Sequence, residues 1–519
     1  MNSLYFGDSL DILKQLWAKH PDGFIDLVYI DPPFNSKRNY NILFETIDLH
    51  DAKAQKEAFA DTWSNVGYKD TIEELKDTNL NLSRFLEALD HAGISQSAVS
   101  YLTTMAIRSY YIHKVLKPTG SFYLHCDQSM SHYLKVVCDL IFGEKHFRDE
   151  IIWKRTFNTG SSKAIANKFP VSTDTILYYT KSDKFTFNKL YRPYSDGALK
   201  RYDKEDEEGK VFKWNPLKTV SKERLAKMLK SGEAKITPNS KYPVYKHYFD
   251  ESKGAVVDNL WDDIEQLGTK AAERLGYPTQ KPEALLQRII LTSSNKGDLV
   301  ADFFCGCGTT VSTAQSLKRN WIGVDISHLA IGLIRKRIID TYGEKIVKTF
   351  SINGLPKDIG SAKALSLAPQ GRMHFQDWVI ETLLGGVANP KKSGDGGYDG
   401  YTTLEIDKGK KEVILIQVKS GKTNVNDLRS FAKTVQQQKG SVGILVCFED
   451  QITKGMRSEA KGEGYFRKDL FDTRFDKIQL LSIEELLDGK MPELPRSYEV
   501  GPFKKADRVE EPDAQGGLF

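Results

Sequence analysis

Cysteine is scarce in this chain: there are five in 519 residues (Cys126, Cys138, Cys305, Cys307 and Cys447), odd in number, scattered, and without the paired spacing of a metal knuckle. That excludes a disulfide scaffold and a zinc module, and a reducing cytoplasm is the expected compartment. Long apolar runs are missing too. None reaches the roughly 18 residues a membrane span needs, and the N-terminus lacks a signal-peptide pattern. Nor does one charge dominate, since 74 Lys+Arg against 69 Asp+Glu leave only +5. The distribution says more than the sum: residues 151–260 hold 22 Lys/Arg and 13 Asp/Glu, so this stretch carries +9 and the remainder −4. At this length about three domains are expected.

What is present is organised around Asp31-Pro32-Pro33-Phe34. The preceding run, Phe24 to Ile30, is short and rich in β-branched and aromatic residues, so it reads as a buried strand with the tetrapeptide at its carboxyl end. In an open α/β sheet that edge is where ligands bind. Pro32 and Pro33 fix φ and remove two N–H donors, leaving a stiff turn with outward carbonyls. Asp31 can accept one N–H of an exocyclic amine, the Pro32 carbonyl can accept the other, and Phe34 offers a face for a base ring. A plain proline turn is the competing reading.

Upstream, Leu4 to Asp8 reads as a strand ending in a turn, and Leu10, Ile12, Leu13 and Leu16 as a helical face; together with the Asp31 strand they make one βαβ unit, placing Asp8 on the same edge. Residues 35–100 read as a polar excursion with helical patches. The sheet resumes with a helix over 101–116 and a strand over 121–125, followed by a helix over 130–142 and a strand over 150–153. Between 154 and 260 both periods fade, and Lys/Arg interleave with aromatics such as Tyr178, Tyr179, Tyr191 and Trp214. That mixture suits a nucleic-acid groove, with a solvated charged insertion as the alternative.

Downstream, Thr279-Gln280-Lys281-Pro282 precedes a helix over 283–291, and Asp298 to Phe304 makes a strand that includes Asp302. Gly306-Cys307-Gly308-Thr309-Thr310 then opens a helix, and Trp321 to Asp325 is the next strand. Strand, glycine turn, helix, strand and terminal acid form the nucleotide-binding pattern, and the turn is not Gly-x-Gly-x-x-Gly, which suits a nucleoside without a pyrophosphate.

Together these two segments resemble the amino-methyltransferases that modify DNA bases with S-adenosylmethionine; the order, catalytic motif first and cofactor motif last, resembles their β class over residues 1–345. The resemblance implies that Asp31 and the Pro32 carbonyl hold the target amine and that Phe34 stacks on the flipped base of double-stranded DNA. It also implies that Gly306 and Gly308 pass beneath the cofactor, with Phe304 and Thr309 in the same turn. Asp302 would lie near the methionine ammonium, Asp325 near the ribose, Asp8 near the adenine amino group, and Lys281 in the segment packing on the methionine end. Within the family, Asp at the first motif position leans toward N6-adenine and Ser toward N4-cytosine. Cys305 and Cys307 are expected to pack, not to act as nucleophiles.

Residues 346–371 read as a linker, and beyond them the pattern restarts. Asp399 on a turn and Gln417 and Lys419 two apart on the strand 413–419 share one face. Asp399 and the Gln417 carbonyl can hold Mg²⁺ while Lys419 orients water and stabilises the phosphorane charge. Residues 372–490 resemble the PD-(D/E)xK nucleases, in particular the Mrr-type branch in which Gln replaces the second acid; Glu381 would add a carboxylate. The tail 491–519 ends in Gln515 to Phe519, similar to the pentapeptide by which bacterial proteins dock on the sliding clamp.

The expected fold class is α/β: a Rossmann-like methyltransferase sheet in two halves (1–153 and 261–345) with a target-recognition region (154–260) between them, then a C-terminal α/β nuclease-like domain. Three functions follow: a DNA adenine methyltransferase fused to a restriction endonuclease, a methyltransferase whose C-terminal domain only grips DNA, and a nuclease using the N-terminal half as target reader. Oligomeric state stays open, a homodimer included, and no membrane partner is expected.

Overall fold

The computed structural model describes residues 2–33, 68–156, 167, 169–238, 240–249, 253–268, 271–277, 279–368, 371–389, 396–407, 410–467 and 474–494. Phe34 and the tail pentapeptide Gln515 to Phe519 lie outside the described residues. Among the described residues, no helix is long and apolar enough to cross a membrane.

The chain divides into two units, residues 1–186 with 262–519, and residues 187–261. In the larger unit β1 (Asn2–Phe6), β2 (Ile25–Ile30), β3 (Leu116–Cys126), β4 (Phe147–Lys154), β5 (Thr173–Thr180), β6 (Leu299–Asp302), β7 (Asn320–Asp325) and β8 (Phe350–Asn353) lie in the order β4-β5-β3-β2-β6-β7-β1-β8. From β3 to β8 every pairing is parallel, while β5 runs antiparallel to both β3 and β4. β2 is apolar almost throughout because it is mid-sheet and covered on both faces; Ile25, Leu27, Val28 and Ile30 are fully buried. Helices α1 (Ser9–Lys19), α2 (Tyr68–Thr78), α3 (Leu80–His91), α4 (Gln96–Val115) and α5 (Ser131–Phe142) contribute to one core cluster with β2 and β3.

Two expectations are corrected here. β5 lies inside the stretch read as a target-recognition region, yet it is a core strand, with Tyr178 and Tyr179 buried. Its tyrosines pack; they do not stack on bases. The segment read as a linker likewise contains β8, paired to β1, and a helix over Ile359–Leu367 capped by Asp358.

Residues 187–261 form a smaller unit around an antiparallel sheet whose central pair joins Val211–Pro216 to Val244–Tyr248. Its aromatics are largely used internally: Tyr202 and Phe212 are buried, Lys213 sits 4.3 Å from the Tyr202 ring, and Lys235 sits 4.2 Å from that of Trp214.

Beyond α6 (Glu283–Ser293), α7 (Thr309–Ser316) and α8 (His328–Tyr342), the C-terminal sheet has the order β9 (Val387–Ala388), β10 (Gly400–Asp407), β11 (Lys410–Val418), β12 (Val442–Cys447) and β13 (Ile478–Ser482). It shares a core with elements of the N-terminal sheet region. Leu275, Cys307, Leu329 and Leu333 cluster with Val387, Tyr398, Tyr401 and Leu415, and a Cβ on Gly332 of α8 would stand 2.4 Å from the Glu381 carbonyl oxygen.

Candidate active site

Register brings the two motifs together. β2 and β6 pair directly, Leu27 with Val300 and Val28 with Ala301, so the strands release Asp31 and Asp302 at one sheet edge. Asp31 and Asp302 line a single pocket, together with Lys281 and Gln280 from the Thr279-Gln280-Lys281 segment and Phe304, Gly306 and Thr309 from the glycine turn. Tyr29 and Tyr277 complete its walls. Segments nearly three hundred positions apart thus share one cavity.

The turn that closes the pocket needs its glycines. Gly306 and Gly308 have φ of +50° and +75°, in the left-handed region that side chains avoid. A Cβ on Gly308 would also lie 2.6 Å from Ile334 Cγ1, so Gly308 lets α7 start close against α8, while Gly306 passes under the Tyr277 ring. Asp325, ending β7, ties the turn down by accepting the Gly306 N–H (2.8 Å) and the Ser327 N–H (2.9 Å). Cys305 and Cys307 are buried, which pushes both thiols up and suits packing.

Asp302 accepts the Thr310 hydroxyl at 2.6 Å and the Phe304 N–H at 3.0 Å. Burial still dominates and pushes its carboxyl up to about 7, against those hydrogen bonds and with a further rise from Asp31 and Asp325. Burial likewise raises Asp325 to about 6. Three carboxylates converge on one glycine turn, and Lys281, in contact with the Asp31 carboxylate, is the one cationic side chain among the described residues lining the pocket. An excess of buried carboxylate fits a ligand carrying positive charge, as a sulfonium bearing an α-ammonium does.

Other expected residues fall elsewhere. Pro32 and Pro33 follow Asp31 as anticipated without lining the pocket. Asp8 lies on the same edge, since its neighbour Phe6 pairs with Asp325, but it caps α1 through the Leu10 N–H (2.6 Å) and binds the buried Arg108 guanidinium at 2.7 and 2.9 Å. Sequence reasoning missed Tyr29, Tyr277, His125 and Asp174. His125 follows Leu124, the register partner of Ile30, so a polar residue ending the strand beside β2 was the available signal.

At the C-terminal sheet the Mg²⁺ expectation is not supported. Asp399 Oδ2 accepts the Val418 N–H at 2.7 Å, while the Gln376 side-chain amide donates to Asp399 Oδ1 at 3.1 Å and to the Val418 carbonyl at 3.3 Å. An N–H₂ group therefore sits between Asp399 Oδ1 and the Val418 carbonyl, in the place a bridging cation would take. The Gln417 side chain turns away and donates to the Gly397 carbonyl at 3.0 Å. Glu381 accepts the Ala388 N–H at 3.3 Å. Among the described residues no group of three or more His, Cys, Asp or Glu could hold a metal.

Comparison with known proteins agrees with both findings. Residues 373–488 match a family described as NACHT-associated inactive Restriction Endonuclease 1. The chain is 29% identical over 263 residues to type II methyltransferase M.EcaI of Enterobacter cloacae, covering 46% of this chain and 57% of that protein. It is 26% identical over 356 residues to the Mod subunit of the type III restriction-modification enzyme StyLTI of Salmonella typhimurium, covering 61% of this chain and 50% of that one. It thus spans about half the length of these two relatives. DNA adenine methyltransferase YhdJ of Escherichia coli K12 is 25% identical over 349 residues, covering 67% of this chain and 86% of that protein. Residues 25–336, more than half of the sequence, match the family described as DNA methylase of the N6_N4_Mtase type, and to that family the chain belongs.

Proposed function

We propose that this protein methylates DNA, moving a methyl group from S-adenosylmethionine to the exocyclic amine of a flipped base, adenine N6, within a restriction–modification setting. The observation that carries this reading is the single pocket holding Asp31 on one side and Asp302, Gly306 and Thr309 on the other. The Asp31-Pro32-Pro33 order, with Asp and not Ser in first place, and the likeness to an adenine methyltransferase favour adenine over cytosine.

In this reading Asp302 holds the cofactor's ammonium, Asp325 its ribose hydroxyls, and the Gly306 turn its underside; when bound, the cofactor supplies an electrophilic methyl group on a sulfonium. An exocyclic amine is a poor nucleophile because its lone pair is delocalised into the ring. Asp31 and the Pro32 carbonyl accept its two N–H groups and favour a pyramidal nitrogen, and Lys281 gives up its place on Asp31 when the amine arrives. A base inside a duplex cannot enter this pocket, so it must leave the stack. Residues 187–261, with 16 Lys/Arg against 11 Asp/Glu, are the proposed phosphate-contacting unit. The C-terminal domain, with an amide where a nuclease needs a cation, is proposed not to cut DNA. Incubation with methyl-labelled cofactor and mixed duplex DNA, followed by mapping of the modified base, should give N6-methyladenine at one short sequence; label on cytosine moves the assignment to N4, and no label at all removes it.

A further inference from the structure

Behind Asp31 lies a buried polar chain that the hydrogen-bond grip on the base does not use. His125, at the end of β3, is fully buried, with Nε2 3.4 Å from Asp174 Oδ2 and Nδ1 2.9 Å from the Tyr29 hydroxyl. The same Nδ1 is 4.0 Å from Asp31 Oδ1, and the Trp153 indole meets the imidazole edge-on at 5.7 Å. β5 contributes Asp174, and Arg155 lies beyond it, 3.3 Å from Asp174 Oδ1. Burying an imidazole between two carboxylates is costly unless it is paired on both sides, as here. Strand packing alone would be met by an apolar residue at this position.

We propose that His125, oriented by Asp174, is a positioning residue that accepts through Asp31 the proton released when the amine is methylated. This rests on the methyl-transfer reading above. An amine nitrogen that gains a methyl group must lose one proton, and Asp31, accepting that N–H, is the first group to take it. With Nε2–H donating to Asp174, the lone pair of Nδ1 accepts the Tyr29 hydroxyl at rest, a tautomer assigned from its neighbours, and that hydroxyl swings off Nδ1 as Asp31 approaches. An approach of about 1 Å brings Nδ1 and Asp31 within hydrogen-bond range. The proton then passes from Asp31 to Nδ1, leaving Asp31 ionised and an imidazolium held between two carboxylates. Atoms and charge balance without another reactant: one N–H bond breaks at the base and one N–H bond forms at His125. The groups facing this relay are Tyr29, Asp31, Asp174, Arg155 through Asp174, and Lys281 and Asp302 across the pocket.

The test is single-turnover methyl transfer across pH, on a duplex carrying the modified sequence, for the wild type, His125→Gln and Asp174→Asn. Cofactor affinity by calorimetry and 2-aminopurine fluorescence at the target base provide readouts independent of turnover. The expected result is a loss of about 10²-fold in His125→Gln, together with loss of the wild-type inflexion in the pH profile, while cofactor affinity and base flipping stay unchanged. Asp174→Asn should keep the inflexion but move it to lower pH, because the imidazolium loses a partner; that variant carries the test if His125→Gln fails to fold. A His125→Gln enzyme matching the wild type at every pH, or an inflexion unmoved in Asp174→Asn, overturns the relay alone. A wild type that transfers no methyl overturns the relay and the reading beneath it together.

Discussion

Two aspartates at the edges of two sheets, Asp31 and Asp399, show what separates a carboxylate that lines a pocket from one absorbed into the fold. Asp31 lines a cavity, and its carboxylate contacts Lys281, a side chain of the same pocket. Asp399 sits on a comparable turn, but its oxygens accept a strand N–H and a side-chain amide. Protein donors that are part of the fold satisfy Asp399, whereas Asp31 meets a group that a substrate can displace. A carboxylate can do chemistry when its lone pairs point where the fold has left room, and the motif around it does not reveal that room.

The sharpest way to break the contrast is Asp31→Ala. Losing the acceptor should lower single-turnover methyl transfer by about 10³-fold, while cofactor affinity changes by less than tenfold, under about 1.4 kcal/mol. If calorimetry shows cofactor binding lost in parallel, Asp31 faces the cofactor and the assignment of sides is reversed.

A second effect, of a few kcal/mol at most, comes from the pocket's own charge. In the folded chain Asp302 is raised from 3.8 to about 7. The folded state therefore holds this proton longer than the unfolded one, so the stability it contributes is whole below pH 4 and fades as pH climbs through 7. Ligand-free protein should melt at lower temperature at pH 8 than at pH 5, and Asp302→Asn should flatten that slope. Cofactor affinity should run the other way, rising from pH 6 to pH 8 as Asp302 ionises to meet a cation. A melting temperature that rises with pH in the wild type but not in Asp302→Asn would refute the raised carboxyl. Smaller still, Gly308→Ala should cost about 1–3 kcal/mol in thermal or chemical unfolding, since it meets both a left-handed φ and Ile334.

Much of this pocket could be read from the sequence because its parts are local: a strand, then Asp31 and two prolines, and a strand, then Asp302 and two glycines that need positive φ. Proximity was inferred from strand ends, and the direct β2–β6 pairing supplies it. Other parts were hidden for physical reasons. β5 has Asp174 and two tyrosines in a basic stretch, and composition cannot show that an antiparallel partner on each side buries them. The pairing of Asp8 to Arg108 was hidden because it joins positions a hundred residues apart. In the C-terminal domain Asp399, Gln417 and Lys419 were visible, but Gln376, 23 positions before Asp399 on the preceding helix, was not. A neutral amide leaves no trace in a charge pattern.

That amide sets the smallest and most specific prediction. Gln376→Glu replaces the N–H₂ between Asp399 Oδ1 and the Val418 carbonyl with a second carboxylate of the same length, giving two acids and a backbone carbonyl around one point, as hard divalent cations prefer. With two carboxylates, affinity for Mn²⁺ should be about 1 mM, so 10 mM ion should stabilise the variant by about 1.4 kcal/mol, seen as a rise in melting temperature that chelation reverses. The wild type should show no such rise, and methyl transfer should be the same in both, because Gln376 lies outside the pocket around Asp31. If the wild type binds Mn²⁺ as well as the variant does, the amide is not what silences Asp399, and the distinction between the two aspartates must rest on Asp31 alone.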